Sequence, residues 1–327
     1  VAAAREFGVN ILLVGLQARL ETALHSYSPA DRRNIEIVPA TQVITMEDKA
    51  VRAVRTKRDS SIHVCARLVK SGRAVGLVSA GNTGAVMATS KLMLGSLEGV
   101  HRPALATVVP AAAGRAAILI DVGANVDCRP DHLEQFAIMG AIYSRVILGC
   151  DRKDAVAGPR VGLLSIGEEE IKGNELTREA FTLLQQLPLN FVGNVEGRDI
   201  YRGKVDVIVC DGFVGNVALK ISEGLVEVVR GTLREELSRT LRSKLGFLLS
   251  RPAFMTLQKR LDYSEYGGAP LLGVRGSVII CHGRSNSKAI KNAIRVAADS
   301  ASHAINHQIE TQIQHLRPSD PSVTCNL

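Results

Sequence analysis

Five times along the chain an apolar, strand-length run stops at a short turn of Gly, Asn, Ser or Asp and gives way to a helical pattern, and this recurrence narrows the fold more than any other feature. The five segments are 75–84, 117–125, 161–168, 205–216 and 277–286. Strands alternating with helical stretches build βαβ units and a mainly parallel sheet with helices on its faces. The expected class is α/β, a three-layer α/β/α sandwich over residues 1–327 as one domain. In an open sheet of this kind ligands sit beyond the carboxyl ends of the strands, so the five turns are expected to converge on one cleft.

The rest of the chain fits this rhythm with one exception. Residues 1–8 read as the end of a helix running into a strand at 10–15, and the chain begins without Met, so an N-terminal strand and loop are expected to be missing ahead of it. Further along, a strand is expected at 35–38, a charged segment at 46–59 and a helix at 62–69. Ser79 or Asn82 is placed to cap a helix through Leu92, and Asp211 one through Val229. The tail 317–327 is expected to be loose. The exception is 232–263, where Leu233, Leu237, Leu241, Leu245 and Leu248 share one helical face and Arg234, Arg239, Arg242 and Lys244 lie elsewhere on it. Pro252 is expected to end this basic amphipathic helix and start a second one, giving a protruding hairpin with Phe247, Leu248 and Leu249 at its tip. Periodicity favours packing of this face against the sheet or a twin subunit over docking on a membrane.

Composition excludes several classes. No run reaches the roughly 18 apolar residues of a spanning helix, and no signal peptide opens the chain. The six cysteines (Cys65, Cys128, Cys150, Cys210, Cys281 and Cys325) form no CxxC pair and no metal-finger spacing, which favours a reduced cytoplasmic setting and argues against a bound metal. A formal charge of +8 favours acidic partners: nucleic acid, anionic lipid or an acidic carrier protein. With 4% aromatic residues and no Trp, stacking platforms for single strands are poorly supplied, and nucleic acid is the weakest of the three.

No Walker A loop and no GxGxxG follows the first strand, so NAD and ATP lose support and no cofactor is expected. What remains is an anion site built from several loops. Ser79, Asn82, Thr83 and Gly84 stand at an expected helix start, where unpaired amides and the helix dipole favour an anion; simple capping is the competing role. Lys172, flanked by acids and followed by Gly173 and Asn174, either faces the cleft or belongs to a solvated helix entrance. Asp211, Asn216 and Lys220 follow a buried strand, with 216 and 220 on one helical face, as oxyanion partners or as a cap with a surface lysine. His282, Arg284, Ser285, Asn286 and Lys288 cluster beyond another strand as donors and a proton carrier. Cys210 and Cys281 end their strands beside these loops, but in apolar runs where cysteine behaves as a small buried hydrophobe.

The wording of the loops is itself distinctive. Ser79-Ala-Gly-Asn-Thr-Gly84, Asp121-Val-Gly-Ala-Asn-Val-Asp-Cys128, Ile166-Gly-Glu-Glu-Glu-Ile-Lys-Gly-Asn-Glu175, Gly193-Asn-Val-Glu-Gly-Arg-Asp-Ile200, Cys210-Asp-Gly-Phe-Val-Gly-Asn-Val-Ala-Leu-Lys220 and Gly267-Gly-Ala-Pro-Leu-Leu-Gly273 together resemble the bacterial phosphate acyltransferase family called PlsX. The resemblance covers nearly the whole chain; Ser165 stands where the family commonly has Asn, and the family's opening strand and Met-Gly-Gly-Asp loop have no counterpart. It implies transfer of a long-chain acyl group from acyl carrier protein to inorganic phosphate for phospholipid synthesis, in a homodimer with a fold similar to isocitrate and isopropylmalate dehydrogenases. It also implies peripheral association with the inner face of the cell membrane, which moves the balance for Phe247, Leu248 and Leu249 towards docking on an anionic surface, and a downstream glycerol-3-phosphate acyltransferase as a partner.

A thioester gives up a thiolate whose conjugate acid has a pKa of roughly 8.5, so acid assistance is a minor need. Holding the phosphate near the carbonyl and stabilising the oxyanion are the larger demands. The expected assignment puts phosphate on Asn82, Thr83, Gly84, Ser285 and Asn286, with Lys172, Asn216 and Lys220 supplying charge; acylation of Cys210 is the competing route. A short-chain phosphate acetyltransferase, a dehydrogenase of the isocitrate kind and a membrane adaptor are the alternative functions.

Overall fold

The computed structural model describes residues 1–149 and 158–316. The expected loose tail, Cys150 and Cys325 lie outside the described residues. In chain order the elements are α1 (Ala2–Phe7), β1 (Ile11–Gly15), α2 (Gln17–His25), β2 (Ile35–Pro39), α3 (Ala50–Thr56), α4 (Ser61–Lys70), β3 (Gly76–Ser79), α5 (Thr83–Met93), β4 (Ala104–Pro110), β5 (Ala116–Ile120) and α6 (Pro130–Leu148). There follow β6 (Arg160–Leu164), α7 (Glu175–Gln185), β7 (Asn190–Val195), β8 (Val207–Val209), α8 (Gly212–Arg239), α9 (Leu241–Leu261), β9 (Ala269–Leu272), β10 (Ser277–Ile280), α10 (Ser287–Ser302) and α11 (Ile305–Leu316). Each of the five sequence segments contains one strand, so apolar runs closed by polar turns located β3, β5, β6, β8 and β10.

Among the described residues the main sheet holds eight strands in the order β3-β10-β9-β4-β5-β8-β6-β7. Most of its pairings are parallel, as expected, but β9 is antiparallel to both β10 and β4, and β4 is antiparallel to β5. Following these directions, β3 and β10 run one way and β5, β8, β6 and β7 the other. The sheet is two parallel blocks, mutually inverted and joined through β9 and β4. This corrects the expected convergence of all five turns: those after β3 and β10 leave one end of the sheet, and those after β5, β6 and β8 leave the opposite end.

Helices cover both faces because alternate strand residues are apolar in both directions. On one face α6, α7, α10 and α11 pack around Phe136, Met139 and Tyr143. On the other, α3, α4, α5 and the early turns of α8 form a second cluster with Leu105, Leu119, Val122 and Ile208. A separate parallel pair, β1 and β2, packs Leu12, Val14 and Val38 against Val64 and Leu68 of α4.

The arm built by α8 and α9 departs from expectation in where it turns. The break falls at Thr240, whose backbone is extended (φ −125, ψ 159), and not at Pro252, which lies inside α9. Thr240 starts the second helix as its cap, its Oγ1 accepting the Ser243 amide at 3.0 Å. Pro252 removes one amide donor from α9, and the adjacent turns stay helical. Phe247, Leu248 and Leu249 therefore lie along the returning helix and not at the tip, and Phe247 packs on Phe254 with ring centroids 5.2 Å apart. The expected range 232–263 covers only the end of α8, whose exposed stretch begins much earlier. Tyr201 hydrogen-bonds Ser222, close to where α8 leaves the sheet. No described helix is long and apolar enough to cross a membrane.

Candidate active site

Four of the predicted site residues turn out to be helix caps. Asn82, Asn174 and Asn286 each stand in extended backbone before α5, α7 and α10, and their Oδ1 atoms accept the amides of Ala85, Thr177 and Ala289 at 3.0, 2.9 and 2.9 Å. Asp211 accepts the Phe213 and Val214 amides, both at 2.9 Å. Asn82 is doubly committed, because its Nδ2 donates to the carbonyls of Thr45, Met46 and Asp48. The capping role weighed for Asn82 and Asp211 is thus the one observed, and neither has a donor left for a phosphate, whereas the Nδ2 groups of Asn174 and Asn286 have no partner among the described residues and remain donors.

Capping leaves different openings at each helix. In α5 and α10 the cap accepts from the third residue, so the amides of Thr83, Gly84, Ser287 and Lys288 have no partner among the described residues. Neither helix has an acid in its first turn. In α8 the Gly212 amide instead donates to Asn125 O at 2.7 Å, and Asp211 takes the next two, so that helix start is closed. In α7 Glu175 already occupies the positive end of the dipole.

The two open helix starts are neighbours. β3 and β10 pair in parallel to their ends, and Cys281 N donates to Ser79 O at 2.8 Å one step beyond. The structure thus brings Ser79, Thr83 and Gly84 together with His282, Arg284 and Ser285. Ser79 Oγ accepts the Gly81 amide at 3.2 Å and shapes the first turn. His282 Nδ1 accepts the Arg284 amide at 3.1 Å, which leaves its Nε2 to carry the proton in the neutral ring. Arg284 is exposed, and neither its guanidinium nor the Ser285 hydroxyl has a partner among the described residues. Lys288, counted with them in the sequence, bridges Asp262 and Glu265 at 3.2 and 2.7 Å and is neutralised there.

The other predicted residues form a second group. Asn216 lies on α8 beside the loop 121–125, and a Cβ on Gly123 would stand 3.7 Å from it. Lys220, one turn on, pairs with Glu223 at 2.8 Å, so its expected free charge is largely met within the helix. Lys172 is exposed, with no partner for its Nζ among the described residues, on the loop after β6. β6 is separated from β10 by β9, β4, β5 and β8, a span of about 24 Å at sheet spacing. The expected direct pairing of Lys172 with the phosphate loops is therefore not what the topology gives.

The second group is organised by Asp121, the first residue of the 121–128 motif and a position to which the sequence alone gives no role. Its buried carboxylate accepts the amides of Leu105, Gly123, Ala124 and Asn125, and the side chain of Asn125, at 2.7–3.2 Å. Burial pushes the Asp121 carboxyl up, and these donors pull it back. The α8 backbone packs directly on this loop because Gly212 and Gly215 carry no side chain: a Cβ at Gly212 would sit 2.5 Å from Asn125 O, and one at Gly215 would overlap the Asp121 carbonyl oxygen. The signal for this was in the sequence, as paired glycines at the start of a helix facing an Asp-Val-Gly-Ala-Asn turn.

The thiols are poorly placed for covalent chemistry. Cys210 is 2% exposed, burial holds its pKa well above the ordinary thiol value, and its Sγ donates to Asp121 O at 3.4 Å. Burial pushes Cys281 up to about 11 and Cys128 to about 12. One histidine–carboxylate group with metal-like spacing exists among the described residues, His101, Asp131 and His132. Asp131 is taken by Arg129 and His101, and His132 Nδ1 by the Arg129 amide, so the group serves the start of α6.

Residues 1–308 match the family described as fatty acid synthesis protein. The chain is 60% identical over 311 residues to a phosphate acyltransferase of Koribacter versatilis, covering 95% of this chain and 86% of that one. It is 56% identical over 310 residues to the phosphate acyltransferase of Acidobacterium capsulatum, covering 95% and 90%. Among solved structures, the EutD phosphotransacetylase of Staphylococcus aureus shares the fold at TM-score 0.57 and 15% identity, covering 90% of this chain and 86% of that one. A phosphotransacetylase of Streptococcus pyogenes does so at TM-score 0.56 and 16% identity, covering 90% and 94%. With more than half its residues identical to these relatives across nearly its whole length, this chain belongs to the phosphate acyltransferase family and is a transferase.

Proposed function

We propose that the protein transfers a long-chain acyl group from acyl carrier protein to inorganic phosphate, forming an acyl phosphate for phospholipid synthesis. The observation that carries the phosphate assignment is the pair of open helix starts, α5 and α10, at the ends of adjacent parallel strands beside Arg284 and Ser285. Four unpaired amides, a guanidinium and a hydroxyl suit a tetrahedral dianion. In the reaction a phosphate oxygen forms a bond to the thioester carbonyl carbon, the C–S bond breaks, and the thiolate leaves and takes a proton from water. The helix starts hold the nucleophile; no step requires a protein thiol, and the sealed Cys210 makes acyl-enzyme formation the weaker route.

Thiol release from palmitoyl carrier protein, measured with and without phosphate, is expected only when phosphate is present. Release without phosphate, by water, would remove the phosphate role. Arg284→Ala is expected to raise KM for phosphate by about 10-fold or more, the worth of a charge-assisted contact to a dianion. Lys172→Ala is expected to leave KM for phosphate unchanged, since Lys172 lies with the second group; a raised KM for phosphate would put it in the first.

A homodimer is part of the same reading. Val214, Val217, Ile221, Leu225 and Val228 make one exposed apolar stripe along α8, which a second copy of the arm would cover. Leu225→Glu is expected to shift the protein from dimer to monomer in light scattering, and a monomeric parent would end the proposal. The basic residues of the arm and the apolar residues along α9 favour contact with an anionic membrane surface from the cytoplasmic side, with the downstream acyltransferase acting there.

A further inference from the structure

The segment 43–58 carries chemistry that the phosphate site does not use. Its loop is fastened to that site: Asn82 Nδ2 holds the carbonyls of Thr45, Met46 and Asp48, and a Cβ on Gly84 would stand 3.1 Å from Ala50 Cβ, so α3 begins against the first turn of α5. The same loop reaches the second helix start, where a Cβ on Gly283 would lie 2.7 Å from Met46 Cε. Whatever docks on this segment is therefore beside the proposed phosphate site.

Its surface is basic and apolar together. Lys49, Arg52, Arg55 and Arg58 are exposed, and none has a carboxylate partner among the described residues. The acids of the segment are engaged elsewhere: Asp48 by Lys57 at 2.6 Å and Asp59 by Arg67 at 2.9 Å, while Glu47 is held by Thr45 and its own amide. Met46 and Val51, 52% and 63% exposed, lie among the four cations. Unpaired cations around exposed apolar side chains fit an acidic protein surface that also offers apolar contact, and opposite charges steer its approach.

We propose that the exposed face of α3 and its preceding loop, presenting Lys49, Arg52, Arg55 and Arg58 around Met46 and Val51, is the docking surface for the acidic carrier protein that delivers the acyl thioester. This rests on the reading of the protein as a carrier-dependent phosphate acyltransferase, and it places the carrier here and not on the basic arm. The position is apt: a carrier seated on α3 holds its thioester arm at the mouth of the two helix starts, so docking and phosphate binding share one end of the sheet.

The test is steady-state kinetics of the parent and the doubly reversed variant Arg52→Glu/Arg55→Glu, with palmitoyl carrier protein and with palmitoyl-pantetheine, a thioester lacking the carrier. The variant is expected to raise KM for the carrier-bound substrate about 10-fold or more, with kcat and both pantetheine constants unchanged. The difference should shrink in roughly 0.5 M salt, where the Debye length is only a few ångströms. Equal KM values for parent and variant would overturn the docking surface. So would a rise produced instead by Arg234→Glu/Lys244→Glu on the arm. A variant that kept its KM but lost binding to anionic phosphatidylglycerol vesicles would make the face a membrane contact and overturn the proposal. Failure of the parent itself to release thiol from the carrier would defeat the functional reading, a separate outcome.

Discussion

Replacing Gly215 by Ala is expected to abolish phosphate-dependent thiol release and to destabilise the fold by at least about 3 kcal/mol, at the upper end of overpacking costs. The added methyl would overlap the carbonyl oxygen of Asp121 and press on Cys210 Sγ at 2.8 Å. Neither can retreat: the Asp121 turn is held by its own carboxylate bonds, and Cys210 ends a buried strand. A control lies in the same helix. Gly224 has nothing within 4 Å of its added Cβ, so Gly224→Ala should stabilise the protein by up to about 1 kcal/mol through helix propensity alone. Thermal unfolding of the two variants side by side separates the mechanisms; equal shifts would show that α8 does not press on the 121–125 loop.

Asp121→Asn is expected to cost about 3 kcal/mol or more and to remove activity, although it exchanges one oxygen for an NH2 group of nearly the same size. Every partner of the carboxylate is a donor: four backbone amides and the Asn125 side chain. An amide in that shell sets two N–H groups against N–H groups, and whichever way it turns, buried donors lose their acceptor. Denaturant unfolding with activity on the refolded protein checks this. Wild-type stability in the Asn variant would mean that shape alone holds the turn.

Much of this was legible in the sequence. The strands were found because Val, Ile and Leu runs end at polar turns, and caps such as Asn82 and Asp211 mark the helices that follow. Two of the same caps do not serve as phosphate ligands for a local reason: Asp211 has only acceptor oxygens, and the Nδ2 donors of Asn82 are spent on the carbonyls of the 45–48 loop. The inversion of the two sheet blocks was not legible, because it is decided by β9 and β4, strands brought together from residues 104 and 272. No local pattern records which way such a pairing runs. The turn of the arm was misplaced because Pro252 is the stronger breaker by propensity, whereas Thr240 breaks the helix by offering its hydroxyl as a new start. The lateral distance between Lys172 and the α5–α10 loops follows from strand order, which adjacent residues do not specify.

The arm leaves and re-enters the body at nearly the same place. Ser222 is bonded to Tyr201, and a Cβ on Gly114 would lie 3.9 Å from the returning Arg260, with Ala112 N bonded to Tyr201 O between them. An excursion whose two feet stand together closes a loop that the sheet does not need in order to form. Turns added to or removed from the arm should therefore leave β8 and β9 in their places, and a short linker joining the two feet would be a natural route to a catalytic body freed from its attachments.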